Sequence, residues 1–256
     1  MSKINIINFD ELIDDDIKLH FKNENPLTVQ HPARCLLVGS SGAGKSNLLL
    51  NLLLSKEVKI TYNRIYMIVR DLTEDKTRYL QQYFSEIEHK IKKKTGESIE
   101  IFTLSDKLED IPDLDSDLDK NKQNLLILDD LITVKNQKIV EDYYIRSRKK
   151  NVTCIYLTQS YFKVPRVIRL NTDYFFLFNV PSRRELTNLY QEFGNAFDCQ
   201  RTFNQVVRES TKARSFMIID LKTNIPIMKY RKQFDQGWVI CDPSDEVQAK
   251  PYLEKI

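Results

Sequence analysis

The sequence predicts an α/β fold, a mostly parallel β-sheet with helices on both faces, and three observations predict it. The apolar run Leu36–Val38 leads through a glycine-rich loop into a leucine-rich helical segment at 48–54. Strand-like apolar runs then alternate with helix-patterned segments from residue 33 to about 221, and such alternation gives parallel sheets covered on both sides. Finally, residues 124–130 read N-L-L-I-L-D-D. Buried parallel strands look like this, and ligands gather at their carboxyl ends.

The loop is the most informative stretch. Gly39, Ser40, Ser41, Gly42, Ala43, Gly44, Lys45 and Ser46 fill the pattern G-x-x-x-x-G-K-[ST]. Glycines let successive N–H groups turn inward round a phosphate, and the helix that follows points its positive end at the same anion. These eight residues and Asn47 are the candidate nucleotide cradle, with ATP as the ligand. Lys45 would reach the β- and γ-phosphates, and the Ser46 hydroxyl would hold Mg²⁺.

Residues 1–32 form a candidate N-terminal arm or edge element, 33–232 the nucleotide-binding domain and 233–256 a mostly irregular C-terminal tail. Within the domain, 64–69 (R-I-Y-M-I-V) is a second strand. Residues 76–94 have helical spacing and end in three lysines before Thr95 and Gly96, which suits a helix C-terminus. Residues 98–104 alternate as a strand. The acidic run 109–122 lacks the central glycine and closing glutamate of a calcium loop and reads as a solvated connector. A helix over 138–150, strands over 152–157 and 173–180, helical segments over 184–193 and 199–210, and a last strand over 215–221 complete the domain.

Composition narrows the class. The chain has 256 residues, 39 basic against 36 acidic, for a net charge of +3. That excess is too small to indicate a nucleic-acid partner by itself. Cys35, Cys154, Cys199 and Cys241 show no C-x-x-C spacing, so reduced intracellular thiols are expected rather than a zinc site or disulfide framework. No stretch reaches 18 apolar residues and the start lacks a signal-peptide pattern, so an unexported protein without a membrane span is expected. No repeat of fixed period is present.

Hydrolysis of a nucleoside triphosphate needs a metal and an oriented water. Asp129 would hold Mg²⁺ with Ser46, and Asp130 would orient or deprotonate the water; a helix cap is the alternative role for the pair. Gln159, at the end of the buried run L-T-Q-S, can touch both γ-phosphate and water, although polar clusters also simply end strands.

Taken together, G-S-S-G-A-G-K-S, L-L-I-L-D-D, R-S-R-K-K-N-V-T-C-I-Y-L-T-Q-S and F-K-V-P-R-V-I-R-L-N-T-D-Y-F-F-L-F resemble the FtsK/HerA superfamily of DNA-pumping ATPases, of the RecA/ASCE type. The resemblance covers roughly residues 33–221 and is strongest to the genome-packaging branch of poxviruses, other large DNA viruses and virophages. It implies an arginine that acts across a subunit boundary, matched by Arg148 with Arg146 as a neighbouring alternative, and a glutamine sensor at Gln159. Much of the wider superfamily carries glutamate where this chain has Asp130. The resemblance further implies a ring of five or six copies, duplex DNA and capsid or vertex proteins as partners, and a place in the host cytoplasm, virus factory or virion. Lys163, Arg166 and Arg169 follow Gln159 directly and are the candidate DNA contacts, with Arg183 and Arg184 further candidates.

The leading expectation is an ATP-hydrolysing translocase that packages viral DNA into a preformed capsid. A cellular or plasmid DNA pump or helicase is one alternative. A P-loop phosphotransferase or nucleotide switch is another.

Overall fold

The computed structural model describes residues 25–55, 58, 60–131, 134, 136–240 and 252–255. Its centre is a ten-stranded sheet. In chain order the elements are β1 (Arg34–Val38), α1 (Lys45–Leu54), β2 (Arg64–Val69), α2 (Asp75–Thr95), β3 (Phe102–Ser105), β4 (Asn124–Asp129), α3 (Lys138–Arg146), β5 (Val152–Thr158), α4 (Arg166–Leu170) and β6 (Tyr174–Leu177). Then follow α5 (Arg183–Phe193), α6 (Gln200–Ser210), β7 (Met217–Asp220), α7 (Pro226–Lys229), β8 (Tyr230–Lys232), β9 (Gln236–Val239) and β10 (Tyr252–Lys255). The strand order is β10-β9-β8-β7-β6-β1-β5-β4-β2-β3. The run from β3 to β6 is parallel, and β7 to β10 continue it antiparallel.

The strands nearest the loop are buried on both faces, as their unbroken apolar sequences require. Alternate residues of β1 face opposite cores. Leu36 and Val38 meet side chains of α3 to α6, while Cys35 and Leu37 meet the leucines of α1 and Leu80 and Phe84 of α2. Register then aligns the site: Val38 pairs with Thr158 on one side and with Leu177 on the other, and Asp129 lies opposite Leu157. The residues that follow, Gly39, Gln159 and Phe178, therefore leave the sheet side by side on one edge.

Helix α2 ends as its lysines predict, with Gly96 left-handed at φ 79° and its N–H bonded to Lys92 O. Other elements depart from expectation. The helix over 138–150 stops at Arg146 and tightens into a 3₁₀ turn over 147–150. The acidic connector is anchored, because Ile111, Leu114 and Leu118 drop into the core between exposed aspartates. In the segment read as an arm or edge element, Thr28, Val29 and His31 are buried, and residues 1–24 lie outside the described residues.

The tail expected to be irregular after Gln233 instead supplies β9 and β10. Unlike β6 and β7, these strands carry no long apolar stretch within their bounds, and β9 is held by a contact distant in sequence: Trp238 Nε1 donates to Ser210 Oγ on α6 at 2.8 Å. Inside this antiparallel half, the fully buried Arg231 pairs with Asp220 at 3.2 Å and donates to Leu27 O at 2.7 Å. No described helix is long and apolar enough to cross a membrane.

Candidate nucleotide site

The loop between β1 and α1 excludes side chains at two glycines, at Gly39 by close packing and at Gly44 by its backbone angle. A Cβ on Gly39 would stand 2.5 Å from Phe178 Cβ, and Gly44, the N-cap of α1, has φ 114°. Both positions demand glycine on steric grounds. Gly39 N donates to Thr158 O at 3.1 Å, fixing the loop to β5. The Lys45 amine donates to Gly39 O at 2.7 Å and to Ser40 O at 3.0 Å. Burial lowers its pKa, opposed by the charges of Asp129, Asp130 and Glu74.

Asp129 ends β4 beside this lysine. Burial pushes its carboxyl up to about 6, reinforced by the negative charge of Glu74. Asp130 comes next and is left-handed, at φ 54°. A non-glycine residue in that region costs about 1 kcal/mol or more, and such strain gathers at functional sites. The Asp130 N–H donates to Leu157 O at 3.1 Å, and its Oδ2 accepts from Gln159 Nε2 at 3.1 Å. Its Oδ1 is buried and accepts no hydrogen bond among the described residues.

Gly42, Lys45, Ser46, Asn47, Asp129, Asp130 and Gln159 thus line one cleft of about 850 Å³. Carboxylates, a hydroxyl and a lysine converge at its β4 and β5 side. From there, Ser160 Oγ donates to Glu185 Oε1 on α5 at 2.8 Å.

Arg148 lies at the opposite edge of the sheet, in the turn that enters β5. Seven residues of strand separate it from Gln159, a span of roughly 20 Å at about 3.3 Å per residue. It is exposed and makes no ion pair among the described residues. Arg146, by contrast, is held by Asp115 and by Asp142 at 2.8 Å.

Residues 18–222 match the protein family described as Poxvirus A32 protein. The chain belongs to this family. No curated protein matches the sequence. Among solved structures, the genome packaging NTPase B204 from Sulfolobus turreted icosahedral virus 2 in complex with AMP is 14% identical, with a TM-score of 0.50 over 76% of this chain and 95% of that one. The same protein in complex with sulfate is 15% identical, with a TM-score of 0.50 over 76% and 94%. At such identity the likeness speaks for the fold, that of a P-loop NTPase.

In this A32-family chain the candidate DNA contacts separate. Lys163 and Arg166 are exposed and make no ion pair among the described residues. Arg169 is instead engaged within its own chain. Its guanidinium pairs with Glu192 at 2.6 Å and stacks on Tyr161 at 4.8 Å, so it braces α4 against α5. Charge alone marked it in the sequence; the aromatic and carboxylate partners come from other elements. Arg183 and Arg184 are exposed at the start of α5.

The sequence reading also missed cleft residues. Glu74 follows the end of β2, and the rule that ligands gather at strand ends would have found it. Arg214, Phe216 and Gln233 line the cleft as well, but they arrive on antiparallel strands that no local pattern places beside the loop.

Proposed function

We propose that this A32-family chain is an ATP-hydrolysing motor that packages double-stranded viral DNA into a preformed capsid, working as a ring of copies. One observation carries this reading: Lys45, Asp129, Asp130 and Gln159 share one sheet edge, while Arg148 is exposed at the other, without an ion pair among the described residues and beyond reach of its own cleft.

The residues suit the expected metal. Asp129, Asp130 and the Ser46 hydroxyl offer the hard oxygen donors Mg²⁺ prefers, and the buried Asp130 Oδ1 lacks a partner among the described residues. Among the described residues no group of three or more His, Cys, Asp or Glu forms a cage, which suits an ion that keeps waters and borrows phosphate oxygens. Ser46 and Asp129 would hold it. When bound, Mg²⁺ neutralises charge on the β- and γ-phosphate oxygens.

The chain's own groups do the rest. The α1 N-terminus and loop amides bind the phosphates, and Lys45 moves from its loop carbonyls to the γ-phosphoryl oxygens. Asp130, aimed by Gln159, orients the attacking water and draws its proton. Arg148 of a neighbouring copy stabilises charge in the transition state, an effect worth about 10³ to 10⁵ in rate. Phosphate release loosens Gln159, and the Ser160–Glu185 bond passes the change to α5. Lys163 and Arg166 supply releasable phosphate-backbone contacts.

The test is ATP hydrolysis by the full chain as protein concentration and duplex DNA are raised. Turnover per copy should climb with both. A rate independent of concentration and DNA would overturn the motor reading.

A further inference from the structure

The cleft continues past the phosphate cradle, away from Asp130, and what lines that end is of a different kind. Across the sheet edge the order is Asp130 at β4, Gln159 at β5, the loop at β1, Phe178 after β6, Arg214 to Phe216 entering β7 and Gln233 leaving β8. With the γ-phosphate fixed at β4 and β5, the nucleoside must leave toward β7 and β8. Three strand spacings of about 4.8 Å separate β1 from β8, about 14 Å of additional room.

The backbone there is strained. Ala213, Arg214 and Gln233 are left-handed, with φ of 54°, 60° and 54°; among the described residues only Asp130 and Asn151 share this among non-glycines. Two bonds hold the strained turns in place: Gln233 N donates to Phe216 O at 3.0 Å, and Ser215 N donates to Lys212 O at 3.0 Å. Arg214 O sits 3.6 Å from where a Gly44 Cβ would be, so the turn abuts the cradle itself. Strain retained beside a ligand cleft marks a clamp more often than an accident of packing.

Chemically this end suits an aromatic ring. Phe178 and Phe216 meet at 5.7 Å and give the cleft an apolar part of its lining, and the exposed Arg214 and Gln233, which line the same cleft, make no side-chain hydrogen bond or ion pair among the described residues. A guanidinium stacks on an aromatic face. A carboxamide offers a donor beside an acceptor, the complement of adenine's amino group and adjacent ring nitrogen.

We propose that Arg214 and Gln233 form the base site of the cleft, with Arg214 stacking on adenine beside Phe216 and Gln233 reading its amino edge. This rests on the reading that Lys45 and its loop bind a triphosphate.

The experiment titrates full-length wild type, Arg214→Ala and Gln233→Gly with ATP, GTP and inorganic tripolyphosphate by calorimetry; glycine preserves the left-handed backbone. Arg214→Ala should weaken ATP about 10-fold, as a desolvated stacking contact would, and leave tripolyphosphate unchanged. Gln233→Gly should erase the preference for ATP over GTP. If tripolyphosphate binds while both variants hold ATP and GTP as wild type does, the base site is overturned and the phosphate cradle stands. If ATP and tripolyphosphate weaken together in the variants, the two residues serve the cradle or the fold, and the base site is again overturned. If wild type binds neither ligand, both readings fall.

Discussion

Gln159 Nε2 donates to Asp130 Oδ2 across 3.1 Å, joining the ends of β5 and β4 through a residue held at φ 54°. The bond aims a carboxylate whose other oxygen is buried without a partner among the described residues. Asp130→Asn should therefore lower kcat by about 10² or more with ATP affinity kept within a few-fold, since the loss falls on the transition state. Gln159→Ala should lower kcat less, yet remove most stimulation by DNA. Steady-state ATPase assays with nucleotide titrations check both, and an unimpaired Asp130→Asn enzyme would remove Asp130 from the chemistry.

Arg148→Ala should bind ATP and hydrolyse it about 10³-fold more slowly. Mixing it with Lys45→Ala should restore part of the turnover, because at mixed boundaries of one orientation the intact lysine of the Arg148→Ala copy meets the intact arginine of the Lys45→Ala copy. Arg146→Ala should retain activity, its guanidinium being held by Asp115 and Asp142. Mixing without recovery would argue against action between copies.

Gly39→Ala should destabilise the protein by about 1 to 3 kcal/mol through overpacking, or roughly 2 to 6 °C in Tm for a chain of this size. Phe178→Ala should not relieve it, because the 2.5 Å contact is with Phe178 Cβ, which alanine keeps. Thermal unfolding of the single and double variants tests this.

The His31 contribution to stability should fall in mild acid, while Asp129, whose carboxyl is raised to about 6, acts in the opposite direction. Burial lowers the pKa of His31 to about 4, from 6.5 in the unfolded chain, with Asn151 and Thr153 bonded to its ring at 2.8 Å each. The folded state therefore holds fewer protons, and this contribution is present above pH 6.5 and is lost as pH drops toward 4. The difference amounts to about 1 to 3 kcal/mol. Urea unfolding of wild type and His31→Gln from pH 7 to 4 should show the stability difference between them shrink or reverse as pH falls, and a pH-independent difference would remove His31 from the linkage.

Arg169→Ala should lower stability by about 1 to 2 kcal/mol by removing its ion pair and ring stacking, and should leave the salt dependence of DNA binding alone. Lys163→Ala and Arg166→Ala should each reduce the slope of log K against log salt by about 1. Equal slopes for all three variants would return Arg169 to the DNA surface.

The parallel half of the fold was legible because its signals are local. A loop with glycines at 39, 42 and 44 between an apolar run and a leucine-rich helix specifies its own geometry, and N-L-L-I-L-D-D announces both burial and the carboxylates at its end. β7 was legible as the apolar run over 215–221, whereas β8 to β10 carry no such run and the partners of their side chains, such as Ser210 for Trp238 or Leu27 for Arg231, are remote in sequence. Nothing local could place Arg214 or Gln233 at the cleft. Arg169 shows the converse: a basic run reads as a surface until the facing carboxylate and aromatic ring are known.

Arg231 reaches from β8 to the carbonyl of Leu27, 204 residues earlier in the chain, while also gripping Asp220. A guanidinium sealed in this way behaves as a rivet between the first described segment and the last turns of the sheet. Cutting it would release the residues that lead into β1 from the antiparallel rim that completes the sheet.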